Sequence, residues 1–289
     1  MPARTEIPLP AIRHGYTAWS DIAMQEGWRV QHHVGDGCCR LVNPRGLVIA
    51  KGPRNEIIKD WRRYAVAGSV AVDRVLLLHG LSRTGRIYRR ISRSLTAAGF
   101  EVIAPSYPSL RQSLDDHARD MRSVLDHLSH TGNISLVGHS LGGLIVHRLI
   151  DEPGAWKDRL DLRAAVLITV PHNGSRLGAR VARHPLAARL LGPSLQDCLP
   201  GRQRLARTDG LPILNILGLT GYRTGFNPGF GRDNDLVLAE DEMHLATATH
   251  QARVPRPHGL IYRAGSTVSL ITRFLQGAHA PHHREGEAP

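Results

Sequence analysis

Gly138-His139-Ser140-Leu141-Gly142-Gly143 sets a serine between glycines in the spacing G-x-S-x-G. A serine hydroxyl attacks a carbonyl only when a base takes its proton and donors wait for the developing oxyanion. The surroundings suit that chemistry. An apolar run at 134–137 ends in Gly138, and an apolar helical stretch at 141–150 opens directly after the serine. A strand, sharp turn and helix in this order lift the serine above the sheet edge. The turn excludes a Cβ at its flanks, which explains Gly138 and Gly142. The helix N-terminus behind Ser140 favours negative charge. One expected oxyanion donor is therefore the Leu141 N–H. The other is the Leu81 N–H, because His79-Gly80-Leu81 ends an earlier apolar run and Gly80 permits close backbone approach.

The base and acid should follow in the order serine, acid, histidine. Among 17 histidines, His258 is preferred, since Pro257-His258-Gly259-Leu260 follows a short apolar stretch and precedes the final helix. His172 comes too early, His244 and His250 lie on a polar connection, and His139 inside the elbow is expected to point away from the reacting centre. Gly231-Arg232-Asp233-Asn234-Asp235-Leu236-Val237 supplies the acid. Asp235 is the first choice and Asp233 the alternative, ahead of Asp197, Asp209, Glu240 and Asp241. The acid would fix the imidazole tautomer and stabilise the imidazolium. Either aspartate could equally be a turn former.

The elements that must position these groups alternate. Apolar runs at 75–78, 101–104, 134–137 and 164–170 are each stopped by Gly or Pro. Between them lie helical patterns at 87–98, 114–128 and 141–150. Strand–helix alternation of this kind gives an α/β fold, a mostly parallel sheet with helices on both faces. After Val170 the regularity breaks, and 172–210 reads as a helical cap or lid. The sheet resumes at 212–217, with a last strand at 252–254 and a last helix at 268–275. Residues 1–72 read as an antiparallel extension, with strands at 28–34, 39–43 and 47–50 and a linking helix capped by Asn55. The division expected is thus 1–72, 73–276 and a disordered tail at 277–289.

The span from about Arg74 to Leu275 resembles bacterial lipases and esterases of the α/β-hydrolase superfamily. The resemblance rests on Leu78-His79-Gly80-Leu81, Ala98-Gly99-Phe100, Tyr107-Pro108, 137–143, Pro171-His172-Asn173-Gly174-Ser175, Asn234-Asp235-Leu236-Val237 and His258-Gly259-Leu260. It implies a serine hydrolase that cleaves carboxylic esters through an acyl-enzyme, with no metal or organic cofactor and an ester or lipid as substrate. Thioesterase or acyltransferase activity on the same residues is the alternative, as is a catalytically silent binding scaffold. Leu177, Val181, Leu186, Leu190 and Leu191 of the cap would line an acyl pocket or form the cap's own core.

Composition narrows the partners. The net charge is +12, and Lys51, Lys59 and Lys157 are the only lysines, so the base is nearly all arginine. The arginines are dispersed, and no RNP, helix-turn-helix or zinc-finger pattern turns them toward nucleic acid. Dispersed in this way they read first as an ordinary solvated surface, which could also contact an anionic lipid surface. Cys38, Cys39 and Cys198 show neither a disulfide framework nor zinc-ligand spacing. No export signal or membrane-spanning run is visible, so the cytoplasm is the expected location.

Overall fold

The computed structural model describes residues 7–8, 18–65, 72–128 and 131–280. Six strands form the central sheet: β6 (Arg74–Leu78), β7 (Glu101–Ile103), β8 (Gly132–His139), β9 (Leu160–Ile168), β10 (Ile213–Leu217) and β11 (His250–Arg253). All pair in parallel, in the order β11-β10-β9-β8-β6-β7. The chain runs outward from β6 to β7, then returns to the other side of β6 with β8. That reversal opens a crevice at the carboxyl ends of β6 and β8, where ligands of such sheets bind.

The inner strands β6, β8, β9 and β10 are largely apolar because both faces are covered, whereas the edge strand β11 is polar and mostly exposed. Leu76 and Leu78 of β6 face one core with α3 (Leu114–Asp126) and α4 (Leu141–Asp151). Val75 and Leu77 face the other, with α2 (Arg89–Ala97) and α9 (Gly265–His279). The two-residue side-chain period of a strand demands this division. Helix α3 starts where Ser113 and Asp116 cap each other reciprocally.

A second, antiparallel sheet holds β1 (Ile7–Pro8), β2 (Trp19–Gln25), β3 (Trp28–His33), β4 (Cys39–Val42) and β5 (Leu47–Gly52), in the order β1-β5-β4-β3-β2. Helix α1 (Arg54–Trp61) closes its own small core through Ile57, Ile58 and Trp61. The residue preceding α1 is Pro53, not Asn55, and no side chain caps it. The cap comprises α5 (Arg176–Ala182), α6 (Pro185–Leu191) and α7 (Pro193–Asp197), followed by irregular chain. Helix α8 (Glu240–Met243) lies beyond β10.

Two expectations change. The last helix runs on to His279, so Gly277–His279 are helical rather than tail; residues 281–289 lie outside the described residues. Leu186 and Leu190 are exposed, so they belong neither to a pocket nor to a cap core. Among the described residues, no helix is long and apolar enough to cross a membrane.

Candidate active site

Ser140 sits between β8 and α4 with φ 53° and ψ −121°, a backbone state that non-glycine residues rarely hold. Hydrogen bonds pin it there: its N–H donates to the Ile168 carbonyl (3.0 Å) and its carbonyl accepts from the Gly143 N–H (2.9 Å). The glycines are required by contact. A Cβ on Gly142 would lie 2.0 Å from the Leu78 carbonyl oxygen, and one on Gly138 would lie 2.5 Å from the Gly142 carbonyl oxygen. A third, Gly143, packs so tightly that a Cβ would meet Val170 Cγ2 at 2.0 Å.

The loop after β6 faces the serine. A Cβ on Gly80 would stand 3.1 Å from Ser140 Cβ. Neither the Leu81 N–H nor the Leu141 N–H is engaged by an acceptor among the described residues. The His79 ring holds this loop, a role its sequence context did not reveal. Its Nδ1 bonds the Gly80 carbonyl (2.9 Å), its Nε2 accepts from the Tyr107 N–H (3.2 Å), and the Tyr107 ring stacks on it at 3.8 Å. The Tyr107 hydroxyl donates to the His79 carbonyl and the Tyr88 hydroxyl to the Leu78 carbonyl. Burial pushes the His79 pKa down to about 3, so this ring stays neutral and its tautomer is fixed by its partners.

The loop from Asp233 gives each of three consecutive residues a separate task. Asp233 accepts from the Thr220 N–H and hydroxyl and from the Gly221 N–H at 2.7–3.0 Å, stapling the chain after β10. Asn234, fully buried, donates to the Thr224, Asn227 and Arg232 carbonyls. Asp235, also fully buried, accepts from the Val237 and Leu238 N–H groups (3.0 and 2.7 Å) with one oxygen. Its other oxygen lies 2.6 Å from His258 Nδ1, while the His258 N–H donates to the Asp235 carbonyl (2.8 Å). Of the two candidate acids, the fold therefore brings Asp235 to His258 and leaves Asp233 in the loop.

His139 does not point away. Its ring lies 4.9 Å from that of His258, and its Nε2–H donates to the His258 carbonyl (3.0 Å). Burial holds its pKa well below the usual value, so a neutral ring sits beside His258. The other early candidate, His172, is buried in contact with His147, 3.2 Å away. Backbone strain gathers here. Among the described residues, five non-glycine residues have positive φ, and four border this site: Ser82 (57°), Ser140 (53°), Thr169 (45°) and Leu236 (84°). Conformations of that cost persist where surrounding structure over-determines them, commonly at functional sites.

Ser140, His139 and His258 open on a cavity of about 220 Å³. Leu81, Leu177, Val181, Leu191, Leu195, Val237 and Leu238 supply much of its apolar wall, so three of the five cap residues expected there, Leu177, Val181 and Leu191, do line it. The cap's base is tied to the acid loop: Glu242 accepts from the Arg176 N–H (2.5 Å) and the Ala239 N–H (2.6 Å), and Arg176 pairs with Asp241 at 2.8 Å through both terminal nitrogens.

A family model described as the alpha/beta hydrolase family matches residues 75–285. The chain belongs to the alpha/beta hydrolase family. Its matched span takes in the whole six-stranded sheet except Arg74, with the serine turn and the His258 loop. A solved structure agrees at the level of fold. The mature form of lipase BlEst2 from Bacillus licheniformis superposes with a TM-score of 0.55 at 14% identity, over 72% of this chain and 94% of that one. Polyketide synthase ThaQ of Burkholderia thailandensis is 32% identical over 227 residues, 73% of this chain but 9% of that protein. A haloalkane dehalogenase of Psychrobacter cryohalolentis is 39% identical over 99 residues, 31% of this chain and 32% of that protein. The chain thus spans well under two thirds of either curated relative.

Proposed function

We propose that this alpha/beta hydrolase is a serine hydrolase cleaving carboxylic esters, with Ser140 as nucleophile, His258 as base and Asp235 as the orienting acid. The observation that carries this reading is the Asp235–His258 pair, 2.6 Å apart, opening on the same cavity as a serine held at φ 53°. His258 Nε2 takes the Ser140 proton as Oγ bonds the ester carbon, and the Leu81 and Leu141 N–H groups receive the oxyanion. The imidazolium passes that proton to the leaving oxygen as the carbon–oxygen bond breaks. Water then attacks the acyl-serine with His258 again as base, releasing the carboxylic acid and restoring Ser140. Protons and electron pairs balance among substrate, water and these side chains. A cavity of about 220 Å³ is below the roughly 300–1,000 Å³ typical of drug-sized ligands, which favours a short acyl group.

A labelled fluorophosphonate tests the assignment. Wild-type protein should be labelled, and Ser140→Ala and His258→Ala should not. Folded wild type that resists the reagent would point instead to a silent scaffold. Short p-nitrophenyl esters should be turned over faster than long ones; a preference for long chains would contradict the small cavity. The stretch shared with a protein named as a polyketide synthase favours a thioester as second substrate class. Paired oxygen ester and thioester assays would separate the two.

A further inference from the structure

Arg83 stands out among the residues lining the reaction cavity. It is, among the described residues, the only charged side chain lining that cavity, facing a wall that is otherwise mostly apolar. Among the described residues its guanidinium meets no carboxylate; its hydrogen bond runs to the Ser82 carbonyl (3.3 Å). Arg83 is half-buried at the edge of a largely apolar cavity, and its guanidinium, without a carboxylate partner, is available to bind a ligand anion.

Its position says which part of the substrate carries that anion. His258 must hand its proton to the leaving group, so the leaving part departs past His258 and Gly259. Arg83 lies on that side: a Cβ built on Gly259 would be 3.4 Å from Arg83 Nη2. Leu177, Val181, Leu191 and Leu195 of the cap supply the apolar wall that would suit an acyl group. Arg83 also follows Ser82, whose N–H donates to Ser109 Oγ (2.9 Å) and whose φ is 57°, so a constrained loop presents the guanidinium.

We propose that Arg83 recognises a carboxylate or phosphate on the leaving part of the substrate, making the preferred substrate a short acyl ester of an anionic alcohol or phenol. This rests on the ester-hydrolase reading above. Arg83 takes part in no bond-making step; it positions the substrate through charge-assisted hydrogen bonds, for which the guanidinium fork suits planar carboxylate and phosphate alike.

Three butyrate esters test it: para-butyryloxybenzoate, para-butyryloxyphenyl phosphate and the neutral methyl para-butyryloxybenzoate. The quantity to compare is kcat/KM for each anionic ester divided by that for the neutral one, in wild type, Arg83→Gln and Arg83→Lys. Comparing this ratio between proteins cancels the intrinsic reactivity of the leaving groups. The ratio should fall at least about tenfold in Arg83→Gln, mainly through KM, as expected for a lost hydrogen-bonded charge. It should fall severalfold in Arg83→Lys, which keeps the charge and loses the fork. The anion showing the larger fall is the one the site reads. Ratios unchanged in both active variants overturn the proposal and leave the hydrolase reading intact. Wild type inert on the neutral ester, or Ser140→Ala as active as wild type, overturns the hydrolase reading and this inference with it.

Discussion

Asp233, Asn234 and Asp235 are chemically similar neighbours whose surroundings separate them. Their order predicts an asymmetry. Asp235→Asn should slow fluorophosphonate labelling by about 10³–10⁴-fold, because an amide there favours the wrong imidazole tautomer. Asp233→Asn should slow it far less and act chiefly on loop stability, since its partners are Thr220 and Gly221. Equal losses, or the reverse order, would show that Asp235 is not the acid. The serine turn and the His258 loop, which line one cavity, could be picked out from sequence because strand, turn and chain order mark them. The choice between aspartates stayed open because both lie in one polar turn, and the decision depends on a partner 23 residues onward. The roles of His79 and Arg83 were hidden for the same reason: each is defined by neighbours in space, His79 by Tyr107 and Arg83 by the cavity around Ser140 and Gly259.

At the level of elements, close backbone contact shapes the serine turn. Gly142→Ala drives a Cβ into the Leu78 carbonyl of β6, which cannot yield without moving the strand. It should cost at least about 3 kcal/mol in urea unfolding and remove labelling. Gly143→Ala meets the Val170 side chain instead, so adding Val170→Ala should recover at least about 1 kcal/mol relative to additivity. Additive costs would mean that the turn relaxes by another route. The extension sheet also reaches this region. Buried Asp21 of β2 accepts from the Ser106 N–H (2.7 Å) and Gln31 Nε2 (2.8 Å) and lies 3.2 Å from Arg29. Ser106 Oγ in turn accepts from the Gly85 N–H (3.2 Å), just beyond Arg83. Asp21→Ala should lower stability by about 1–3 kcal/mol, the usual cost of leaving buried donors such as the Ser106 N–H unsatisfied; a loss under about 0.5 kcal/mol would rule out this coupling. Strands β6 and β10 and the inner parts of β8 and β9 were legible because they are largely apolar on both faces. Strand β2 was not, because Ser20, Asp21 and Gln25 are polar yet buried, which hides the alternation that marks a strand.

Across the whole molecule, buried histidines govern the response to acid. Burial lowers the pKa to about 3 in His79 and His172 and to about 4 in His117 and His147. The unfolded chain protonates these rings near their ordinary value of 6.5, whereas the folded chain refuses the proton until pH 3–4. Between those limits the unfolded state holds more protons, so stability falls as pH falls. The slope is about 1.4 kcal/mol per pH unit for each such histidine. Urea midpoints should therefore drop steadily from neutral pH to about 4.5, with proton uptake of several per molecule. A flat profile over that range would show that these rings are not buried as neutral groups.

The last turn of α9 returns to the first strand of the sheet. His279 Nε2 bonds Ser135 Oγ (2.8 Å), and its Nδ1 lies 3.2 Å from Asp73, the residue before β6. Entry to and exit from the six-stranded unit are therefore adjacent in space. A unit with neighbouring ends can be spliced into a longer polypeptide through one small junction, with the sheet and its reactive crevice carried over whole.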